Sequence, residues 1–543
     1  MKQTVLYNGK IYLERARFAQ AVLIEDGVFR MVGSNDEVRA LAGPSCTFID
    51  CEGRTVVPGL NDSHMHLLMV GEGLAQVNIS DCASVEEMVR RCRDFMRAHP
   101  EACRHGLHSV GWNQDLFTEG EKRIPTKHDL DQISTEIPIV LERICGHIVT
   151  GNSKVIEKLG LTGSSPQYEG GEFGIGADGA PNGVFNENAC QYALSTIPPI
   201  TIEQHESLLL QAMDYAVAHG LTSVQSNDIG TSTHDYERGF AMFHKVYDEG
   251  RGKLRYRHQV AFYKPEDFRR YLTEGEFRRG RYAPDGWLRL GPLKLFKDGS
   301  LGARTATMRH EYRDDPGNFG VEATSDAMMD EFCRLAADAG VQVVTHVIGD
   351  AAIEHTVASY EKILPAAGKN PLRHGLVHCQ ITDMPLLRRI AADDIITLYQ
   401  PIFLEYDLHA VESRCGRELS STSYAFGTLD KLGGKISYGT DSPVEDCNPF
   451  PNIYSAVTRR DLKGLPAGGF YPQECVDVCT AVDAYTLGSA YAEFQEDVKG
   501  RIRGGFLADL VVLDRDIFTC DPMEIKDILP VLTMVGGEIV YRK

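Results

Sequence analysis

Residues 55–66 read TVVPGLNDSHMH, a short apolar run, a Pro-Gly break and a polar end that carries His64 and His66. A run of this length bounded by turn residues is a strand candidate. Alternate side chains of a strand share a face, so the two histidines point the same way. Seven later runs repeat the form: LTSVQS (221–226), RYRHQVAF (255–262), LRLGPLKLF (288–296), VQVVTH (341–346), HGLVHCQ (374–380), IITLYQ (395–400) and KISYGTD (435–441). Each is followed by a segment of helical character, the alternation expected of a parallel sheet.

Eight such runs are the number a (β/α)8 barrel needs, and in that fold the C-terminal strand ends converge on one face. Here those ends carry His64, His66, Lys294, His346, His378 and Asp441, in an order matching strands 1, 4, 5, 6 and 8. Two imidazoles two residues apart on a strand can hold one metal ion. His346 and His378 add two nitrogen ligands, and Asp441 adds a carboxylate. Taken singly, each has a bland reading: a hydrogen-bonded histidine, a lysine snorkelling from a strand, an aspartate capping a helix. Their shared position is what carries the argument.

The chain ends are different in kind. TVLYNGKIY, AVLIEDGVFRMVG and TFIDCEGRTVVPG near the start, and FLADLVVLD and VLTMVGGEIVYRK near the end, read as short strands. Asn8-Gly9, Asp26-Gly27 and Gly536-Gly537 are expected hairpin turns. Neither stretch can bury a core alone, so the two are expected to form one discontinuous β-sandwich. Residues from about 70 to 215 contain SVEEMVRRCRDFMRA, PIVLER and the glycine-rich YEGGEFGIGADGAPNG. That is too long for a barrel loop and predicts an inserted subdomain or lid over the barrel mouth. The expected fold is therefore α/β: residues 1–57 and 496–543 as the β-sandwich, and 58–495 as a TIM barrel with the insertion.

With 56 Lys+Arg against 76 Asp+Glu, the formal net charge of the 543 residues is −20. That charge opposes binding to phosphate backbones and anionic lipids. No run approaches the roughly 18 apolar residues of a spanning helix, and MKQTVLYNGKIYLERARF lacks a signal-like apolar core. A cytoplasmic protein with a small-molecule substrate is expected, without nucleic-acid or membrane partners. The 14 cysteines form no CxxC pair, Cys475 and Cys479 being the nearest two, which predicts reduced thiols.

PGLNDSHMH, THVIGD, VHCQ and GTDSPVE, followed by KGRIRGGFLADLVVLD, resemble the amidohydrolase superfamily of metal-dependent hydrolases. GWNQDLF, PIVLERICGH, FKDGSLGARTA and AYTLGSAYA resemble its long branch, which includes N-substituted formamide deformylases. The resemblance runs from about residue 4 to 541. It implies one or two divalent cations, zinc by expectation, with His64 and His66 on the more buried metal and His346 and His378 on the more exposed one. A carboxylated Lys294 would bridge them, since a lysine cation offers no acceptor. Lys297 lies on the opposite face of the strand or in the loop, and is the lesser candidate for the bridge.

The implied reaction is cleavage of an amide, formamide or cyclic amide C–N bond by a metal-activated hydroxide, with Asp441 as general base and then acid. Trp112, Asp115, Arg143, His147 and Arg304 fall in branch motifs and are candidate substrate contacts. Asp350 is expected either to orient a ligand histidine or to cap a helix. A homodimer is implied as well. Two alternatives are a mononuclear deaminase of a heterocyclic ring and a non-catalytic binding or regulatory relative. Deaminases of the superfamily generally lack the bridging lysine and carry a glutamate soon after the strand 5 histidine. Here Val-Ile-Gly-Asp follows His346.

Overall fold

The computed structural model describes residues 2–100, 103–144, 147–279, 286–365 and 369–543; Cys145 and Gly146 of the LERICGH motif lie outside them. The chain divides into two compact units, Met1–Val70 with Leu209–Lys543, and Gly71–Leu208.

The first unit holds two parallel sheets. One has the strand order Leu288–Arg289, Arg255–His258, Leu221–Ser226, Leu60–Met65. The other runs Val260–Ala261, Leu293–Phe296, Val343–Val347, Gly375–His378, Ile396–Tyr399, Lys435–Tyr438. Two continuous chain runs, 255–261 and 288–296, supply a strand to each sheet, so the sheets share these runs. At the other edge the chain after Lys435–Tyr438 meets the first strand. The Asp441 N–H donates to the His64 carbonyl at 2.9 Å, and Thr440 donates through N–H and hydroxyl to the Asp62 carboxylate. A Cβ on Gly439 would lie 2.6 Å from the His64 nitrogen, so this close approach requires glycine.

Residues of Leu60–Met65, Leu221–Ser226, Gly375–His378 and Ile396–Tyr399 are buried throughout, as strands covered on both faces must be. Helices such as Asp326–Asp338, Asp350–Glu361 and Met384–Ala392 alternate with the strands. Ser325 and Asp383 cap the first and last of these through side-chain oxygens on Met328 N and Leu386 N.

The chain ends form two further sheets. The four-stranded sheet uses N-terminal strands only. The six-stranded sheet, in the order Glu538–Arg542, Pro530–Val535, Leu510–Leu513, Thr55–Pro58, Lys10–Glu14, Arg17–Ala19, draws on both ends. Leu6, Val22, Ile24, Phe29, Val512, Leu532 and Met534 share one buried cluster. Asp26-Gly27 and Gly536-Gly537 turn hairpins with positive φ at both residues, the type I′ pattern. Asn8-Gly9 does not. Gln3–Tyr7 and Lys10–Glu14 belong to different sheets, and Asn8 rather than Gly9 takes the left-handed φ of 52°, so the chain crosses between layers there.

The second unit is built on a mixed five-stranded sheet ordered Gly171–Ile175, Pro181–Glu187, Ile148–Gly151, Ile139–Arg143, Leu107–Trp112. The glycine-rich stretch, which reads as a loop, is a hairpin in this sheet. Its tip is closed by the Asp178 carboxylate accepting from the Ala180 N–H at 3.0 Å. Helix Val85–Ala98 buries Val85, Met88, Val89 and Cys92, an i, i+3, i+4, i+7 stripe, against a cluster that includes Trp112 and Leu141. Among the described residues every cysteine is a free thiol, and no helix is long and apolar enough to cross a membrane.

Candidate metal centre

All six strand-end residues singled out above, His64, His66, Lys294, His346, His378 and Asp441, line one cavity of about 360 Å³ in the first unit. The register explains why. Phe296 pairs with His346, and Val347 with His378, so the ends of adjacent strands present these side chains side by side. The His346 and His378 ring centres lie 4.6 Å apart, and those of His64 and His66 5.3 Å. The Asp441 carboxylate stands 3.2 Å from His64 Nε2, 3.4 Å from His66 Nε2 and 4.0 Å from His378 Nε2. His378 and Asp441 both hold left-handed backbone, φ 72° and 57°. Strain of this kind in non-glycine residues concentrates at functional sites.

Every ring has one nitrogen engaged away from Asp441. His66 Nδ1 meets the Asn227 carbonyl at 2.7 Å, and His346 Nε2 the Gly299 carbonyl at 2.9 Å. A carbonyl can only accept, so those nitrogens carry the proton and the partner nitrogens carry lone pairs. His64 Nδ1 and His378 Nδ1 meet the Gln259 and Gln400 side-chain oxygens at 2.6 and 2.7 Å.

Burial and the nearby Lys294 push His64 and His346 down to about 4, and burial with the neighbouring His346 pushes His378 well below its usual value. Neutral imidazoles are the ligating form. For His66 burial is outweighed by the Asp441 hydrogen bond and charge, which raise it. Burial likewise opposes ionisation of Asp441, but the adjoining His64 and His66 rings hold its carboxyl well below the ordinary range. Lys294 is pushed by burial to about 7, and its Nζ has no hydrogen-bond partner among the described residues.

These residues fit a divalent metal. His64, His66 and Asp441 present donor atoms that all lie within 4.8 Å of one another. Imidazole nitrogen with carboxylate oxygen is a zinc-type donor set. The orphaned Lys294 amine, fully buried, is costly unless something is bound or added there.

The remaining sequence candidates fall elsewhere. Trp112 is fully buried in the core of the second unit and donates its indole N–H to the Leu141 carbonyl at 3.1 Å. Arg143 binds Asp115 at 2.9 Å together with Asn113 and Gln114, and His147 faces Glu187 at 3.0 Å; all belong to the second unit. Arg304 pairs with Asp314 at 2.7 Å, while Ser300 and Thr305 of the same SLGARTA motif line the cavity. Lys297 Nζ turns away to Glu322, Asp326 and the Thr324 carbonyl. Asp350 accepts from the Arg309 N–H and touches no ligand histidine; Asp298 is the carboxylate near His346, at 3.7 Å from Nε2.

Sequence reasoning passed over Asp62, Asn227, Gln259, Asp298 and Gln400. Gln400 ends an apolar run and Gln259 interrupts another, so both carried a legible signal: polar side chains inside barrel-strand candidates.

The parallel strands gather a histidine-rich cavity at their C-terminal ends. The Amidohydrolase family model matches residues 47–541, and the chain belongs to that family. A Bacillus subtilis (strain 168) protein named as an amidohydrolase, YtcJ, is 31% identical over the whole of both chains. N-substituted formamide deformylase of Arthrobacter pascens is 25% identical, covering 100% of this chain and 99% of its own. The crystal structure of an uncharacterized metal-dependent hydrolase from Pyrococcus furiosus superposes with a TM-score of 0.76 at 27% identity, covering 95% of this chain and 100% of that one.

Proposed function

We propose that the chain hydrolyses a C–N bond of a small amide, formamide or cyclic amide at a zinc-dependent centre. The two parallel sheets are read as one (β/α)8 barrel spanning 58–495, interrupted by the insertion at about 70–215, with 1–57 and 496–543 forming a β-sandwich. The observation that carries the reading is the meeting of four histidines, Lys294 and ionised Asp441 in one cavity.

His64, His66, His346, His378 and Asp441 would hold the metal, with Lys294 between the two histidine pairs. When bound, the metal supplies Lewis acidity toward the scissile carbonyl and acidifies water. Asp441, kept anionic, accepts the proton of the attacking water and delivers it to the leaving nitrogen as the C–N bond breaks, giving a carboxylic acid and an amine. Lys294, which burial brings to about 7 so that a substantial fraction is neutral amine near neutrality, can take up carbon dioxide at Nζ and lose a proton to become a carbamate, replacing an orphaned donor with two acceptor oxygens. The carbonyls of Asn227 and Gly299 keep His66 and His346 in their ligating tautomers.

Two measurements test the reading. Metal analysis of protein purified without chelator should find zinc, manganese or iron in stoichiometric amount, and its absence sinks the proposal. Screening N-acyl, N-formyl and cyclic amides should yield amine and acid. Ammonia release from heterocyclic rings, with one metal per chain, would favour the mononuclear deaminase instead.

A further inference from the structure

The four histidines differ in how their second ring nitrogen is held. His66 and His346 lean on main-chain carbonyls, which any sequence supplies. His64 and His378 depend on side chains: Gln259 Oε1 at 2.6 Å from His64 Nδ1, and Gln400 Oε1 at 2.7 Å from His378 Nδ1. We propose that Gln259 and Gln400 are positioning residues that fix the tautomer and ring angle of His64 and His378, so that each turns a bare Nε2 toward Asp441. The inference relies on the metal-hydrolase reading only for what those nitrogens bind.

An amide can present either its oxygen or its NH2. With the oxygen on Nδ1, the histidine proton sits at Nδ1 and Nε2 keeps its lone pair. With the NH2 there, the proton moves to Nε2 and the ligand is lost. The Gln259 amide cannot turn freely, because its Nε2 donates to the Ser63 carbonyl at 2.9 Å. Its main-chain oxygen accepts from Asn227 Nδ2 at 2.8 Å, and the Asn227 carbonyl holds His66. The two first-strand histidines are therefore set by one connected network. Gln400 performs the same task with less support: its buried Nε2 has no hydrogen-bond partner among the described residues. The ring it addresses is backed by Phe403, stacked 5.4 Å away on His378.

An amide rather than a carboxylate suits the place. A glutamate would also accept from Nδ1, but would add a further buried carboxylate to a pocket already lined by Asp298 and Asp441. The contrast in amide anchoring separates the two positions experimentally. Gln400→Glu keeps the acceptor and exchanges an NH2 that has no hydrogen-bond partner among the described residues for a carboxylate oxygen, whose charge a bound cation offsets. Gln259→Glu keeps the acceptor but sets a carboxylate oxygen against the Ser63 carbonyl. Leucine at either position removes the acceptor with similar volume.

The test uses the full-length chain and its Q259L, Q259E, Q400L and Q400E variants. Zinc affinity is measured by competition with a chelator, and the tautomers of metal-free protein are read from histidine ring 15N shifts after selective labelling. Both leucine variants should lose about 10- to 100-fold in zinc affinity and shift one histidine away from the Nδ1–H tautomer. Q400E should stay within a few-fold of wild type, and Q259E should not. Wild-type zinc affinity and unchanged tautomers in Q400L overturn the proposal, as does a Q400E loss equal to that of Q400L. Should Q259L fail to fold, the two Gln400 variants decide the matter alone. A wild-type chain that binds no metal would end the hydrolase reading, while the metal-free tautomer shift in Q400L would still decide this one.

Discussion

The parallel strands of the first unit carry buried charge at both ends, and the two ends treat it in opposite ways. Near the strand beginnings, Glu493 meets Lys499 at 2.6 Å, Asn61 Nδ2 at 2.7 Å and Arg289 at 3.4 Å, and Lys499 also donates to Ser223. Arg257 spreads its guanidinium over the Gln225 and Gln342 side chains and the Ala492 carbonyl. Burial disfavours ionised Glu493, but the Lys499, Arg289 and Arg257 charges outweigh it and hold its carboxyl below the ordinary value. At the other end Lys294 lies over the Phe296 ring at 3.9 Å but has no hydrogen-bond partner among the described residues, and one carboxylate faces three imidazole nitrogens. A balanced charge cluster is a structural device, whereas converging donor atoms beside an amine without a hydrogen bond have the character of a ligand-binding site.

Breaking each end should therefore cost different things. The largest effect is expected for Asp441→Asn, which removes the proton relay: turnover should fall about 10²–10⁴-fold with metal content largely retained. Residual activity above about one hundredth of wild type would remove Asp441 from that role. At the strand beginnings, Glu493→Leu leaves Lys499 buried without its anion and should destabilise the fold by about 3–5 kcal/mol. This is measurable as a lower urea midpoint, while metal bound per folded chain stays at the wild-type level. A zinc loss as large as the stability loss would mean that the two ends are not separable.

The site was the more legible of the two ends. His64, His66, Lys294, His346, His378 and Asp441 each lie at or near the C-terminal end of an apolar run, and a parallel sheet gathers such ends without any further information. The cluster at the strand beginnings left no such mark. Its members come from Asn61, Arg257, Arg289, Glu493 and Lys499, and nothing local in EFQEDVKG or RYRHQVAF says that these segments meet. The same limit hid Gln259 and Gln400, whose task depends on which histidine lies across the neighbouring strand. Trp112 shows a related limit: a motif places a residue in the chain but does not say which way it faces, and here the indole lies in a core. Asn8-Gly9 has a hairpin's composition, yet the strands on either side of it pair with different partners, a choice made by the Thr47–Asp50 and Thr55–Pro58 strands further along the chain.

Lys294 gives the sharpest contrast with Lys499. Both are buried lysines with ammonium groups disfavoured by burial, yet only Lys499 has an anion and a hydroxyl within 2.7 Å. Lys294→Met removes an orphaned amine and should stabilise the metal-free chain by about 1–3 kcal/mol, the cost of burying an unpartnered polar group, while lowering zinc occupancy. Lys499→Met should do the reverse to stability. If Lys294→Met destabilises the metal-free protein, the amine has a partner and the comparison fails.

A smaller effect follows from the value near 7 that burial imposes on Lys294. Carbamate formation consumes the neutral amine, whose fraction rises as pH passes upward through about 7. Chelator-stripped protein given zinc should therefore recover activity a few-fold faster at pH 8 than at pH 6, and faster with added bicarbonate. Burial is what lets this happen near neutrality, because an exposed lysine with a pKa of about 10.4 would remain an ammonium across the same range. Recovery that ignores bicarbonate at pH 8 would leave Lys294 a plain amine and break its link to metal binding.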